Sequence, residues 1–329
     1  MAGEAGAARR GAYICGRCKA DPAKIVHHLL DLARSGDREL VAIEGYEIER
    51  ELDRGGMGAV YLARHAKSGG RVALKVMLPE VAANPIAVGR FLREAHLTRA
   101  LRHRNVVQLY DAGCSEGTFF LTMQFCDGGS VMQHMKAQGR ALPIDEAANV
   151  ILDVLAGLEY AHAQQVTVKL PDGTEATAAG LVHRDLKPQN IFLTGAGAGR
   201  VARIGDYGLA KAFDLAGLSG QTATGAAAGT PSFMPRQQLV NFKYARPEVD
   251  VWAAAATFYY LLTGRTPREF PKGQDPWQIV LREPAVPIRQ RLPAIPERLA
   301  AVIDEALIDQ PEIRIQTVAD LRRALEAAL

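Results

Sequence analysis

The length, composition and charge of the chain already narrow its class. Its 329 residues are 48% hydrophobic and 23% charged, a composition typical of globular proteins, and a chain this long buries roughly three quarters of its unfolded surface without needing disulfides or a metal. The 39 basic and 36 acidic residues nearly balance, with a net charge of +3, which argues against a dedicated nucleic-acid binder with its usual basic block.

The first third of the chain is predicted to be rich in strands. Residues 1–43 form an extension in which apolar residues of 21–40 recur at helical spacing, which predicts a short amphipathic helix. Asn84-Pro85 is a typical helix start. Alternating or apolar stretches bounded by Gly-rich and polar turns predict strands at 46–52, 60–63, 72–77, 106–110 and 118–125.

The remainder is predicted to be mostly helical. Residues 144–163 carry a wide apolar face, and Thr317 is a suitable cap for a last helix at 318–329. The longest apolar stretch, 251–262, is well short of the ~20 residues that cross a bilayer, so it predicts a buried helix and no membrane segment. Alternation around the turn-forming pair Asp172-Gly173 predicts a β-hairpin insertion at 166–177.

This order of elements predicts the fold class. Strands followed by helices favour an α+β fold with two unlike lobes over an alternating parallel sheet. We expect the β-rich lobe at 44–126 and the larger helical lobe at 127–329, after the extension at 1–43.

A glycine-rich turn and a lysine in a strand suggest phosphate binding. Glycines at 55, 56 and 58 would let backbone N–H groups approach a polyphosphate. Lys75 stands in an apolar strand, where an ammonium needs an anion, and Glu94 is a candidate partner. Taken alone, these features are more typical of an ordinary hairpin turn and a surface Lys–Glu pair.

The most informative segment is residues 181–193, which read Leu-Val-His-Arg-Asp-Leu-Lys-Pro-Gln-Asn-Ile-Phe-Leu. Asp185 and Asn190 have the spacing of a base and a metal ligand in phosphoryl transfer. Downstream, Asp206 is followed by a glycine at 208 and offers a second oxygen ligand. Oxygen ligands on separate loops suit Mg²⁺.

Together these motifs give the chain a family resemblance. It resembles eukaryotic-type (Hanks-type) serine/threonine protein kinases, most of all those of bacteria, from about Gly45 to Leu329. The resemblance rests on an ordered set of motifs: Gly-Gly-Met-Gly-Ala-Val-Tyr, Ala-Leu-Lys75, Arg-Glu94, His-Arg-Asp-Leu-Lys-Pro-Gln-Asn, Asp-Tyr-Gly, Gly-Thr-Pro-Ser-Phe-Met and Asp250-Val-Trp. It implies a bilobal fold that transfers the γ-phosphoryl group of ATP to serine or threonine of protein substrates.

The resemblance also implies a role for each matching residue. Lys75, oriented by Glu94, would hold the α- and β-phosphates. Asp185 would accept the hydroxyl proton, and Lys187 would neutralise charge on the γ-phosphoryl group. Asn190 and Asp206 would hold Mg²⁺, which Mn²⁺ could replace, and Asp250 would anchor the catalytic loop. The ATP-binding positions would be Leu52, Gly55, Gly56, Gly58, Val60, Ala73, Lys75, Met123 as gatekeeper, and the backbone at Gln124 and Cys126.

Regulation would act on the segment from 206 to about 237. In the family, an arginine at the position of Arg184 often pairs with a phosphorylated residue of this loop, and Thr222 and Thr224 are the candidates here. Thr230 resembles the threonine that contacts the base. A homodimer that phosphorylates its own loops in trans is compatible with this scheme; unmodified linker threonines are the alternative.

Two further features leave alternatives open. Cys15 and Cys18 resemble half of a zinc ribbon, which His27 and His28 could complete unless they belong to the amphipathic helix. Four cysteines are too few for a disulfide framework, and together with no evident secretory leader they favour the cytoplasm.

Some residues depart from the family pattern. Asp53 replaces a loop glycine, which would weaken nucleotide affinity, and Gln237 replaces a glutamate expected to pair with Arg314, leaving a hydrogen bond at best. These departures remove no group that would touch the reaction. The alternative function is a kinase-like scaffold with weak or no catalysis; loss of Lys75, Asp185 or Asp206 would favour it, and all three are present.

Overall fold

The chain divides into two compact units that are described separately. The computed structural model describes residues 13–14, 43, 45–55, 58–77, 98–115, 118–169, 175–207, 231–241 and 245–329. The first unit comprises residues 1–100 and 108–125, and the second comprises 101–107 and 126–329.

The first unit is built on one six-stranded sheet. Its strands lie in the order β1-β5-β6-β4-β3-β2, with every neighbouring pair antiparallel except β1 and β5. The side chains of alternate residues project to the same face, and one face holds a buried cluster that includes Ala63, Leu74 and Phe120. The strands are β1 Tyr13–Ile14, β2 Tyr46–Gly55, β3 Gly58–His65, β4 Arg71–Met77, β5 Leu109–Ser115 and β6 Thr118–Gln124.

The second unit is mainly helical. Its core surrounds a central helix whose residues are apolar on nearly all sides, as expected for a helix without a solvent face. The helices are α1 Val131–Gln138, α2 Ile144–Ala163, α3 Arg236–Val240, α4 Glu248–Thr263, α5 Pro276–Arg282, α6 Glu297–Ala306 and α7 Val318–Ala328. The central helix is α4, so the buried helix predicted at 251–262 is confirmed.

Two small antiparallel sheets complete the second unit. Strands β7 Gln165–Lys169 and β8 Glu175–Ala179 pair in the segment for which the sequence predicts a hairpin. Strands β9 Ile191–Thr194 and β10 Val201–Ile204 pair next to the predicted catalytic loop. The two sheets therefore flank residues 180–190 along the chain.

The strand predicted at 106–110 is wrong at its start. Strand β5 begins at Leu109, whereas Val106 forms an isolated bridge with Ile204 and the Val107 N–H donates to the Ile204 carbonyl. Asn105 adds a side-chain hydrogen bond to the Ala202 carbonyl. Residues 101–107 belong to the second unit, where Val106 lies beside the end of β10.

The architecture confirms the predicted α+β class, with a strand-rich unit and a larger helical one. None of the helices in the described parts of the chain is both long enough and apolar enough to cross a membrane.

Candidate active site

The carboxylate of Asp185 is held by two side chains of its own loop. The Lys187 ammonium lies 2.9 Å from Oδ2 and 3.1 Å from Oδ1. The side-chain amide of Asn190 donates to Oδ2 at 3.0 Å and to the Asp185 backbone carbonyl at 2.7 Å. The loop thus brings together the predicted base, the predicted γ-phosphate lysine and one predicted metal ligand.

Asp250 anchors this loop from the core. Its fully buried carboxylate accepts hydrogen bonds from the backbone N–H of His183 at 2.7 Å and of Arg184 at 2.8 Å. The His162 ring completes the set, with Nε2 2.8 Å from Oδ2. The anchoring role that the resemblance implies for Asp250 is confirmed, while its partner His162 was not predicted because nothing in the sequence of α2 marks it.

The hydrogen bonds around Asp250 keep it charged despite its burial. Burial alone would raise its pKa, but the hydrogen bond from His162, the electrostatic influence of His162 and His183, and the Arg184 N–H outweigh it, so the pKa of Asp250 lies below its usual value. The loop is therefore held by a buried anion that meets backbone dipoles.

His183 links the catalytic loop to the loop that carries Asp206. Its fully buried ring accepts from the Asp185 N–H at Nδ1, 3.2 Å away, while Nε2 lies 2.8 Å from the Gly205 carbonyl. Only the tautomer protonated at Nε2 satisfies both contacts. The imidazole therefore bridges two segments that carry predicted site residues.

Gly205 connects the two predicted metal ligands. Its N–H donates to the Asn190 carbonyl at 2.8 Å, and a Cβ added at Gly205 would lie 2.6 Å from the Phe192 ring. Only glycine allows this approach. The sequence signal for this residue is weak, because the resemblance draws attention to the glycine at 208 instead.

Tyr207 replaces a more common phenylalanine without disturbing the core. Its ring is buried and packs edge-on against His183, with centroids 4.7 Å apart. The hydroxyl donates to the Gly157 carbonyl at 3.4 Å. Burial raises the pKa of Tyr207 well above its usual value, so the hydroxyl remains a neutral donor.

Two residues beside the site adopt a left-handed backbone conformation. Arg184 has φ 68° and Asp206 has φ 56°, and each such non-glycine residue costs about 1–3 kcal/mol. They are the only described non-glycine residues with positive φ. Strain of this kind persists where the surroundings over-determine the backbone, as Asp250 does at Arg184.

The residues predicted to hold a metal fit that role. The Asn190 amide nitrogen is committed to Asp185, so the oxygen Oδ1 is the atom left to face a cation. Asp206 supplies a carboxylate on the adjoining segment, tied to Asn190 through Gly205. Hard oxygen donors in small number suit Mg²⁺ or Mn²⁺.

In the first unit, four predicted ATP-binding residues share one face of the sheet. Cross-strand partners project to the same side, and Val60 pairs with Lys75 while Ala73 pairs with Met123. Ala73 and Lys75 are two residues apart in β4 and so project together. Leu74 projects to the opposite face, into the buried cluster.

The glycine turn joins β2 to β3. Gly55 and Gly58 are register partners at the end of the β2–β3 ladder. Leu52 lies at an irregularity of β2, between Glu51 and Asp53. Asp53 is exposed, and its Oδ1 accepts the Arg54 N–H at 2.9 Å. Gln124 ends β6 in the same unit.

Cys126 is the first residue of the second unit after β6. Its thiol is buried and forms no disulfide. Burial raises its pKa, and a hydrogen bond with Thr194 offsets this only in part. The thiol is thus neutral at pH 7, and the recognition role predicted at this position is one for its backbone.

Several predicted residues lie outside the described parts of the chain. They are Cys15, Cys18, Gly56, Glu94, Thr222, Thr224 and Thr230. Within the described residues, no group of three His, Cys, Asp or Glu side chains forms a cluster that could hold a metal.

The sequence allows Gln237 a hydrogen bond to Arg314 at best, and the structure gives each of these residues another partner. Arg314 is exposed and lies 3.7 Å from Glu305, while Gln237 donates to the Asp309 carbonyl at 2.8 Å. The buried ion pair of this region is formed by other residues: Arg236 and Arg268 both contact the Asp309 carboxylate.

The sequence of the chain is similar to those of known protein kinases. The family model described as protein kinase domain matches residues 46–324. Serine/threonine-protein kinase Pkn1 of Myxococcus xanthus is 34% identical over 287 residues, which cover 86% of this chain and 38% of the relative. Serine/threonine-protein kinase PknJ of Mycobacterium tuberculosis is 32% identical over 298 residues, with 87% and 45% covered. The chain spans less than half the length of these two curated relatives.

Solved structures show the same fold. The crystal structure of the PknI kinase domain of Mycobacterium tuberculosis matches with a TM-score of 0.64 at 26% identity, covering 88% of this chain and 98% of that one. A double mutant of the same domain matches with a TM-score of 0.65 at 25% identity, covering 88% and 97%.

Proposed function

The chain belongs to the protein kinase domain family, and on that premise we propose that it transfers the γ-phosphoryl group of ATP to serine or threonine hydroxyls of protein substrates. The observation that carries the proposal is the Asp185 carboxylate, which Lys187 and Asn190 hold within a loop anchored on Asp250. The bacterial serine/threonine kinases that match this chain support the same acceptor.

In the proposed reaction, Asp185 accepts the proton of the substrate hydroxyl as its oxygen attacks the γ-phosphorus. The new P–O bond forms while the bond to the β-phosphate oxygen breaks, and ADP leaves. Lys187, already 2.9 Å from Asp185, is placed to neutralise charge on the transferred group. The protein's contribution is position and charge, with no covalent intermediate.

The metal and the nucleotide would be held by different residues. Asn190 Oδ1 and the Asp206 carboxylate would ligate Mg²⁺, with Mn²⁺ as a substitute, and the ion would supply charge neutralisation on the phosphates. The sheet face with Val60, Ala73 and Lys75 would receive ATP. Zn²⁺ at Cys15 and Cys18 is a separate proposal, which metal analysis of the purified protein tests.

A radiometric assay tests the proposed function. Wild-type protein and Asp185→Asn are incubated with γ-³²P-labelled ATP, Mg²⁺ and a general protein substrate. Because general base and alignment are both lost, we expect transfer to fall by about 10²- to 10⁴-fold. Gln274→Ala, at an exposed position, is the control and should match wild type. Equal transfer by wild type and Asp185→Asn, or none by either, would favour the scaffold function.

We also propose that loop phosphorylation regulates the enzyme. A phosphate on Thr222 or Thr224 would add about −1.5 to −2 charge and could pair with Arg184, with Thr230 contacting the base. The chain would act in the cytoplasm, as a transient homodimer for the trans reaction. Mass spectrometry after ATP incubation tests this: an active enzyme with no phosphate between 208 and 230 would contradict it.

A further inference from the structure

Gln238 contacts the backbone of the catalytic loop from a neighbouring helix. It lies in α3 with 2% of its surface exposed, and its Nε2 donates to the Arg184 carbonyl at 2.6 Å. We propose that Gln238 is a positioning residue for phosphoryl transfer, which holds the peptide group immediately before Asp185. The proposal rests on the proposed function, because Asp185 is the base there.

Gln238 contacts the peptide group between Arg184 and Asp185, which the hydrogen bonds of Asp250 to the loop do not include. Asp250 binds the N–H of Arg184, and His183 binds the N–H of Asp185. The carbonyl of Arg184 points from the same strained residue, with φ 68°, toward α3. With all three polar groups bound, rotation of the Arg184–Asp185 peptide is opposed from both sides. Loss of the Gln238 bond would release one side and tilt the base.

Helix α3 is well suited to hold Gln238 still. The helix has only five residues, so it depends on contacts at its ends. Arg236 donates its backbone N–H and its guanidinium to Asp309, at 3.0 and 2.8 Å. Gln237 binds the Asp309 carbonyl at 2.8 Å. The two residues that precede Gln238 are thus both fixed on one buried residue, Asp309.

Arg268 reinforces this anchor. It contacts the same Asp309 carboxylate and donates to the Met234 carbonyl, just before α3, at 2.9 Å. The guanidinium of Arg236 also donates to the carbonyls of Leu281 and Glu283, each at 2.8 Å. The anchor therefore runs from Asp309 through Arg236 to Gln238, and from Gln238 to the residue before the base.

The test compares steady-state kinetics of wild type with Gln238→Met and Gln238→Glu. Methionine preserves length without a donor, and glutamate turns an oxygen toward the Arg184 carbonyl. We expect kcat to fall by about 10-fold in Gln238→Met and further in Gln238→Glu, because a misplacement near 1 Å can cost up to about 100-fold. The KM for ATP should stay within about twofold, because the predicted nucleotide residues lie elsewhere.

A control variant that is destabilised away from the catalytic loop separates a positioning role of Gln238 from a role in folding. Val318→Ala opens a cavity at a buried position of α7, and it should lower the melting temperature without lowering kcat at a temperature well below melting. Backbone hydrogen exchange gives a readout that does not need activity: amides in 181–187 should exchange faster in Gln238→Met and not in Val318→Ala.

The results of these experiments distinguish failure of the positioning role of Gln238 from failure of the proposed function. An active wild type whose Gln238 variants keep full kcat and unchanged exchange at 181–187 would overturn this role and leave the proposed function standing. An equal kcat loss in Val318→Ala would assign Gln238 to stability alone. A wild type without any transfer would remove the proposed function, and the positioning role with it.

Discussion

The second unit buries two carboxylates, Asp250 and Asp309, and each charge needs partners that replace the water it has lost. The two carboxylates have different partners. Asp250 is surrounded by two backbone N–H groups and the His162 ring. Asp309 contacts two guanidinium groups, those of Arg236 and Arg268. Both are almost completely buried. One anion is thus met by two backbone dipoles and an imidazole ring, and the other by two guanidinium charges.

The difference shows what each carboxylate does for the fold. A buried anion bound to backbone N–H groups shapes a loop, since it dictates the direction of each peptide. A buried anion between two arginines joins distant segments, because each guanidinium also donates to carbonyls at the end of α5. Removing the first should mainly disturb local geometry, and removing the second should mainly cost stability.

The sharpest test of this contrast is Asp309→Ala. The change leaves Arg236 and Arg268 buried beside each other without their shared anion, so we expect a loss of about 3–5 kcal/mol in the free energy of unfolding. Urea denaturation followed by circular dichroism measures it. Glu312→Ala removes a nearby exposed carboxylate and should change stability by less than about 0.5 kcal/mol. A similar small effect for Asp309→Ala would contradict the contrast.

Asp250→Asn should have its main effect on activity. An asparagine offers one oxygen where two backbone N–H groups bind different carboxylate oxygens, so one donor faces an NH₂ group. We expect kcat to fall about 10-fold or more and stability to fall by about 1–3 kcal/mol.

The matched control is Asp153→Asn. Asp153 accepts one backbone N–H, that of Ala202, at 2.9 Å, which an asparagine oxygen can still accept. Kinetics and denaturation of both variants should therefore show a clear loss only for Asp250→Asn. Equal effects of Asp250→Asn and Asp153→Asn would mean that the second N–H bound by Asp250 makes no measurable contribution to kcat or stability.

The contrast also explains how much the sequence could predict. Asp250 stands in a recognisable motif, Asp-Val-Trp, so its role could be inferred from the sequence alone. Asp309 and its arginines are separated by long stretches of chain and belong to none of the motifs that carry the family resemblance. Pairing between residues far apart in the chain depends on how the helices pack. The glutamine at 237 drew attention to Arg314, whereas the arginines that pair with Asp309 are Arg236 and Arg268.

The fold itself was largely predictable where periodicity is strong. Strands β2, β3, β4 and β6 of the first unit and the buried helix α4 follow from alternation and from an apolar run, whereas the two-residue strand β1 was not predicted. The start of β5 could not be predicted in this way. Residues 106 and 107 are apolar and fit a strand, but they bind Ile204 of the second unit. Likewise, nothing in the local sequence distinguishes Gln238 from its neighbour Gln237, since only the packing of α3 decides which side chain reaches Arg184.

A smaller effect is expected from pH. The pKa of Asp250 is lowered in the folded protein, so the charged carboxylate stabilises the fold at all pH values above its unfolded pKa of about 3.9. That stabilisation is lost as the pH falls through the lower, folded pKa. The stability difference between wild type and Asp250→Asn should shrink by about 1 kcal/mol or less as the pH falls from 5 to about 3.5. Urea titrations at several pH values measure it, and a difference that grew in acid would reverse the assigned sign.

The smallest effect should come from Arg314→Ala. Arg314 is two thirds exposed, and its partner Glu305 is 54% exposed at a distance of 3.7 Å. Such a pair contributes at most about 0.5 kcal/mol, and the backbone bond from Arg314 to the Ile308 carbonyl remains in the variant. Arg236→Met should cost several times more, because it leaves Asp309 with a single arginine in a buried site. Comparing the two variants shows whether Arg236 or Arg314 contributes more to the stability of this region. If Arg314→Ala were the more damaging, the buried charge would reside where the family resemblance implies and not at Arg236.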